Sequence, residues 1–289
     1  MSEYRVCSVM VNGHKCGNPA TISIPAARRG NRPACVCAEC AARMESYSRE
    51  NNMNKGVSTR GKTYSNEYEV NHPTTKARYD LSQNDFMPSS DITVGLELKS
   101  PIYNNLKSPV RVTKTVQRLI DSGDIEIGTN CGTHFHVGLP DNGFSADMPC
   151  GVSRRAATIN MYHSLFLPLS DWLKAHPAET VALFGRNFGE WARPISRGTD
   201  TQEHANFINL QHTYSIEFRL CFFKSAAQYA LCMKTCDKIF DALETHFWRA
   251  YTAERTESGR AARKAAADKA ARYIVRIVEK ASAEAMNIR

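Results

Sequence analysis

The chain of 289 residues lacks any run of about 18 apolar residues, which excludes the ordinary helical membrane span. Its opening, MSEYRVCSVMVNGHKC, lacks the apolar block of a secretory signal, so a cytoplasmic location is expected. No internal repeat is visible, which argues against a solenoid or a propeller. Apolar residues make up 42% of the chain, ample for a packed core. The formal charge of +8 favours an acidic partner such as a nucleotide, a nucleic acid or an acidic protein.

Cysteine is not scarce, but it is unevenly spread. Five of the ten lie in the first 40 residues: Cys7, Cys16, Cys35, Cys37 and Cys40. Cys37-x-x-Cys40 has the spacing of a zinc knuckle and opens a helical-looking segment from Ala38. Cys7 and Cys16 can supply the other half of a tetrahedral Cys₄ site, and the segment 21–36 between them suits a hairpin. Cys35 and His14 are substitute ligands. A segment of this size rarely builds a core unaided, so a structural Zn²⁺ on Cys7, Cys16, Cys37 and Cys40 is the expectation. The head lacks the His-His half of a DNA-reading finger. The other five cysteines, Cys131, Cys150, Cys221, Cys232 and Cys236, sit among apolar neighbours and read as small buried hydrophobes.

The chain divides into a Cys-rich unit at 1–50, a polar linker at 51–62, a main domain at 63–250 and a basic helical tail at 251–289. Within the main domain, TYSNEYEV, DITVGLELKSPIY and GTHFHVGL read as strands. ANFINLQH and TYSIEFRLCFF read as a strand pair. SPVRVTKTVQRLIDSG reads as a helix with Ser108 as N-cap, Pro109 in the first turn and Gly123 after its end. Residues 154–176 and 225–251 read as helices. The segment 185–204 between them is polar and basic.

Three of the strands carry polar pairs at alternating positions: Glu67-x-Glu69, His134-x-His136 and Glu217-x-Arg219. Residues two apart on a strand share a face. Cores do not accept rows of carboxylates and imidazoles, so this face is the candidate floor of a metal-dependent site. Two carboxylates side by side repel unless a cation lies between them, and Mg²⁺ takes oxygen ligands. Glu97 stands opposite Leu96 and Leu98 and joins the set. One histidine can ligate metal or meet phosphate while the other orients it. Arg219 and the loop arginines Arg186, Arg193 and Arg197 are candidate phosphate clamps.

The order of these motifs resembles the amidoligase family, ATP-dependent carboxylate–amine ligases with a glutamine synthetase-like fold. The matching segments are YSNEYEV (64–70), VGLELKSP (94–101), CGTHFHVGL (131–139) and TYSIEFRL (213–220). The resemblance implies an α+β fold, with an antiparallel sheet carrying helices on one face. It implies ATP and Mg²⁺, with Glu67, Glu69, Glu97, His134 and Glu217 as metal ligands. Arg219, one of Arg186, Arg193 and Arg197, and His136 would serve catalysis. It further implies an acyl phosphate that an amine resolves into an amide. The carboxylate and amine substrates would be amino acids, a peptide, a protein or a modified nucleobase. The family usually has a small residue before the first Glu; here Asn66 stands there. Two other readings are a metal-dependent hydrolase built on His134-x-His136, and a non-enzymatic adaptor holding nucleic acid or an acidic protein through head and tail.

Overall fold

The computed structural model describes residues 61–77, 86, 96–128, 130–140, 143–190, 192–201 and 203–288, and the backbone of 87–89. In the head it describes the backbone of four short strands: β1 (Met10–Val11), β2 (His14–Lys15), β3 (Ile22–Ile24) and β4 (Ala34–Val36). β1 pairs with β2 and β3 with β4, both antiparallel, so the hairpin expected over 21–36 is present. Cys7, Cys16, Cys37 and Cys40, and the segment from Ala38, lie outside the described residues.

The main sheet begins with β5 (Thr63–Val70), where alternation is strict. Tyr64, Asn66, Tyr68 and Val70 are buried on one face; Thr63, Ser65, Glu67 and Glu69 stand half-buried on the other. β6 (Met87–Ser89), β7 (Leu96–Lys99), β8 (Thr133–Gly138), β9 (Ile208–Asn209) and β10 (Ser215–Phe218) complete it. The order is β6-β7-β5-β8-β10-β9, and every pairing is antiparallel. β8, near the centre, is buried along its whole length.

Helices cover the apolar face. α1 (Lys107–Asp121) and α5 (Ala226–His246) lie on the sheet and on each other. Tyr229 of α5 packs its ring 5.8 Å from Tyr68 and donates its hydroxyl hydrogen bond to Asn66 Oδ1 at 3.1 Å. Asn66 therefore faces the helices, away from Glu67 and Glu69, and leaves their side of the strand open. The remaining helices are α2 (Arg154–Asn160), α3 (Tyr162–Ala175), α4 (Pro177–Phe184) and α6 (Glu257–Ala285).

The structure departs from the sequence reading in three places. α1 starts at Lys107, before Ser108, after Leu106, whose side chain cannot cap it; Asn105 Oδ1, one residue further back, accepts the Ser108 N–H at 3.0 Å and so supplies the capping bond. The single helix expected over 154–176 breaks at Met161 into α2 and α3. α4 went unread between the expected helix and the basic loop. It ends at Gly185 with φ 85°, where an added Cβ would stand 2.1 Å from Phe222 O, so only glycine fits. The basic tail forms a helix, and that helix is partly a core element. α6 packs on α5, α3 and α4, burying Ala266, Ala267, Ala270, Ala271, Ile274 and Val278. Among the described residues no helix is long and apolar enough to cross a membrane.

Candidate metal centre

Register, set by backbone hydrogen bonding, decides which alternating pairs become neighbours. Glu67 stands opposite Lys99 of β7 and His134 of β8; Glu69 stands opposite Glu97. His136 stands opposite Ser65 of β5 and Glu217 of β10, and Glu217 opposite Asn209 of β9. Four strands, β5, β7, β8 and β10, thus bring Glu67, Glu69, Glu97, His134, His136 and Glu217 onto the face away from the helices.

His134 is at the centre. Its Nδ1 lies 3.1 Å from Glu217 Oε1 and 3.5 Å from Glu67 Oε2, and its Nε2 lies 3.9 Å from Glu69 Oε1. The side chain is 3% exposed, yet neither ring nitrogen makes a well-directed hydrogen bond. His136 Nε2, 3.6 Å from Glu67 Oε1, is likewise buried without one; its Nδ1 lies 3.3 Å from Ser215 Oγ. Buried polar atoms without partners are costly and need a reason. Gly132 makes the arrangement possible, because a Cβ there would stand 2.6 Å from His134 Nε2. The Gly132 N–H also donates to Glu69 Oε2.

Glu217 forms the floor, with a side chain 1% exposed. Arg219 Nη1 donates to its Oε1 at 2.7 Å and Asn209 Nδ2 to its Oε2 at 2.7 Å; His212 Nε2 is 3.2 Å from Oε2. Burial works against its charge, but His134 and His212 hold the carboxyl well below the usual range. Glu67 is shifted the same way: burial opposes the charge, and His134, His136 and Lys99 outweigh it. Glu97 is pushed up by burial and by the charge of Glu67. Lys99 Nζ lies 3.2 Å from both Glu67 Oε1 and Glu97 Oε2. Burial disfavours an imidazolium at His134, but Glu217 and Glu67 raise it to about 9. Without a divalent ion, a proton on His134 is the internal counter-charge of this acidic cluster. A divalent cation would replace that proton.

The loop arginines have separate places. Arg186 Nη2 donates to Arg219 O at 2.6 Å and its Nη1 to Cys131 O at 3.3 Å, so it ties the ends of β10 and β8 together beside the site. Arg193 pairs with Glu203 and donates to Glu190 O, and Arg197 is exposed; the structure brings neither into the glutamate cluster. Sequence reasoning missed Lys99, Asn209 and His212. Lys99 had a signal, since Glu97-x-Lys99 repeats the alternation of the other pairs. Asn209 and His212 carried none; the β9–β10 register places Asn209 at Glu217, and the segment between the two strands brings His212 there.

Two overlapping donor sets result. Glu67, His134 and Glu217 have ligand atoms within 4.8 Å of one another, as do His136, His212 and Glu217. Lys99 and His212, with side chains 45% and 42% exposed, mark the solvent side.

No known family model matches this chain, and no curated protein matches it. Among solved structures, a novel glutamine synthase homolog superposes with a TM-score of 0.36 and 12% identity, covering 83% of this chain and 70% of the other. At that score the likeness assigns neither fold family nor chemistry.

Proposed function

We propose that the polar face of the sheet is the active site of an ATP- and Mg²⁺-dependent carboxylate–amine ligase. The observation that carries this reading is the convergence of Glu67, Glu69 and Glu217 around His134, whose ring nitrogens are buried without directed partners, with Glu97 opposite Glu69 on the next strand. The order of the motifs, which resembles the amidoligases, adds the identity of the reaction.

The residues fit Mg²⁺. Glu67, His134 and Glu217 would hold one ion, and Glu69 with Glu97, opposite each other in register, a second. Bound there, Mg²⁺ would draw charge off the phosphate oxygens of ATP. Arg219, fixed by Glu217, is set to neutralise the transferring phosphoryl group, where positioning and electrostatics do most of the work. Lys99 gives the rim a second cation. His136, in contact with Ser215, is oriented for a phosphate oxygen. A carboxylate oxygen of the substrate would attack the γ-phosphorus as the bond to ADP breaks. The amine would then attack the acyl carbon, releasing phosphate and a proton.

Glu217→Gln keeps the shape of the floor and removes its charge. In the ligase reading it lowers Mg²⁺-dependent ADP release in the presence of carboxylate and amine by about 100-fold or more. A folded Glu217→Gln protein with full activity overturns the assignment.

A second reading has one observation of its own. His136, His212 and Glu217 form a His₂Glu set, the ligand type of hydrolytic zinc enzymes. That enzyme would need no nucleotide. Thermal stabilisation by ATP with Mg²⁺, lost in Glu67→Gln, favours the ligase; Zn²⁺-dependent hydrolysis with no response to ATP favours the hydrolase.

A further inference from the structure

Three of the cysteines dispersed through the second half of the sequence meet in space. Cys232 and Cys236 are four residues apart on α5, so they share one face of the helix. Cys221 reaches them from the segment just after β10. Its Sγ lies 3.1 Å from that of Cys232 and 4.0 Å from that of Cys236, and all three sulfurs lie within 4.8 Å of one another. All three residues are fully buried and none is in a disulfide.

We propose that Cys221, Cys232 and Cys236 form a buried three-thiolate site for one soft cation of the Cu(I) class. Thiolates select soft ions over Mg²⁺ or Ca²⁺. At a metal–sulfur length of about 2.3 Å, a trigonal set has its sulfurs about 4 Å apart, which the Cys221–Cys236 pair matches and which the Cys221–Cys232 pair, at 3.1 Å, would reach by opening about 1 Å. Among the described residues the group holds three ligand atoms and no fourth. That disfavours a closed tetrahedral zinc, which wants four. It fits an ion content with three. Arg186 lies close enough to Cys221 for its charge to favour the thiolate. The same guanidinium holds Cys131 O and Arg219 O, so the triad sits directly behind the floor of the polar face. This site does not depend on the ligase reading: it lies among the buried cysteines and uses none of the glutamates.

The test is anaerobic titration of the reduced full-length protein with Cu(I) against a colorimetric Cu(I) chelator. The thiols of the head would compete for a soft ion, so the comparison is between variants. A chain with Cys7, Cys16, Cys35, Cys37 and Cys40 all changed to Ser should retain one tightly held equivalent. Adding Cys232→Ala or Cys236→Ala to that chain should remove it, with near-ultraviolet circular dichroism confirming that the core stays folded. The five-serine chain tests the site with an intact core even if the core variants unfold, and its failure to hold Cu(I) overturns the proposal. Retention of Zn²⁺ but not Cu(I) overturns it too. So does a disulfide in the protein as isolated. Trypsin would separate the three cysteines into peptides 220–224, 225–234 and 235–238, so a linked pair is unambiguous by mass.

Discussion

Gly132 contributes no side chain, and the site depends on that. Its N–H reaches Glu69, while the space a methyl group would fill belongs to the His134 ring. Gly132→Ala should displace the imidazole, costing about 1–3 kcal/mol of stability from overpacking. In the ligase reading, activity should fall more than stability alone explains. Urea denaturation beside a Mg²⁺ titration of ATP turnover checks both; an unchanged Mg²⁺ requirement would show that His134 is no ligand. His134 itself makes a pH prediction. Its folded value, about 9, lies above the ordinary 6.5, so its proton stabilises the metal-free protein. That contribution is complete below about 6.5 and is lost as pH rises through 9, a loss on the order of 1–3 kcal/mol. The metal-free melting temperature should fall over this window, and His134→Gln should flatten the fall. Saturating Mg²⁺ should do the same if it displaces the proton.

At the scale of elements, capping and register matter most. The helix after Ser100-Pro101 was legible from its opening and closing signals, of which Gly123 follows it with φ 71°. Its start was misread because Ser108 followed by Pro109 is a common opening signal. The structure instead uses Asn105, whose Oδ1 takes both the N–H and the hydroxyl of Ser108. Asn105→Ala should therefore cost about 1 kcal/mol and Ser108→Ala much less, measured by equilibrium denaturation. Equal costs would return the cap to Ser108. The polar pairs were legible for a simpler reason: alternation with period two is local, and five residues suffice to display it. Which pair faces which is not local. It follows from the antiparallel register of β5, β8 and β10, which sets His134 beside Glu67 and Glu217 beside His136.

At the scale of the molecule, the C-terminal helix carries more than its composition suggests. Rich in Ala, Arg and Lys, α6 also carries a small apolar stripe, and its Ile274 and Val278 are fully buried against the helical layer. Its alanines let α5 and α3 approach closely, and its charges line the outer side. Ile274→Ala should cost about 2–5 kcal/mol, as a core truncation does. A solvated tail would lose almost nothing, so global unfolding monitored by tryptophan fluorescence separates the two.

The sequence by itself determined the face. A row of acids and histidines at every second position leaves a strand only one way to bury its apolar side, because burying the other would strand several charges without water. It also marked out short alternating strands interspersed with helices, while the α+β arrangement of an antiparallel sheet under helices was an expectation from the resemblance. Tertiary structure decided what lies next to what. It brought Lys99, Asn209 and His212 to the glutamates, turned Asn66 away from them, and carried Arg193 and Arg197 elsewhere. It brought Cys221 to Cys232 and Cys236, a pair that helical spacing alone already sets on one face. These proximities rest on strand register and helix packing, and contacts between residues far apart in the chain leave no periodic trace in it.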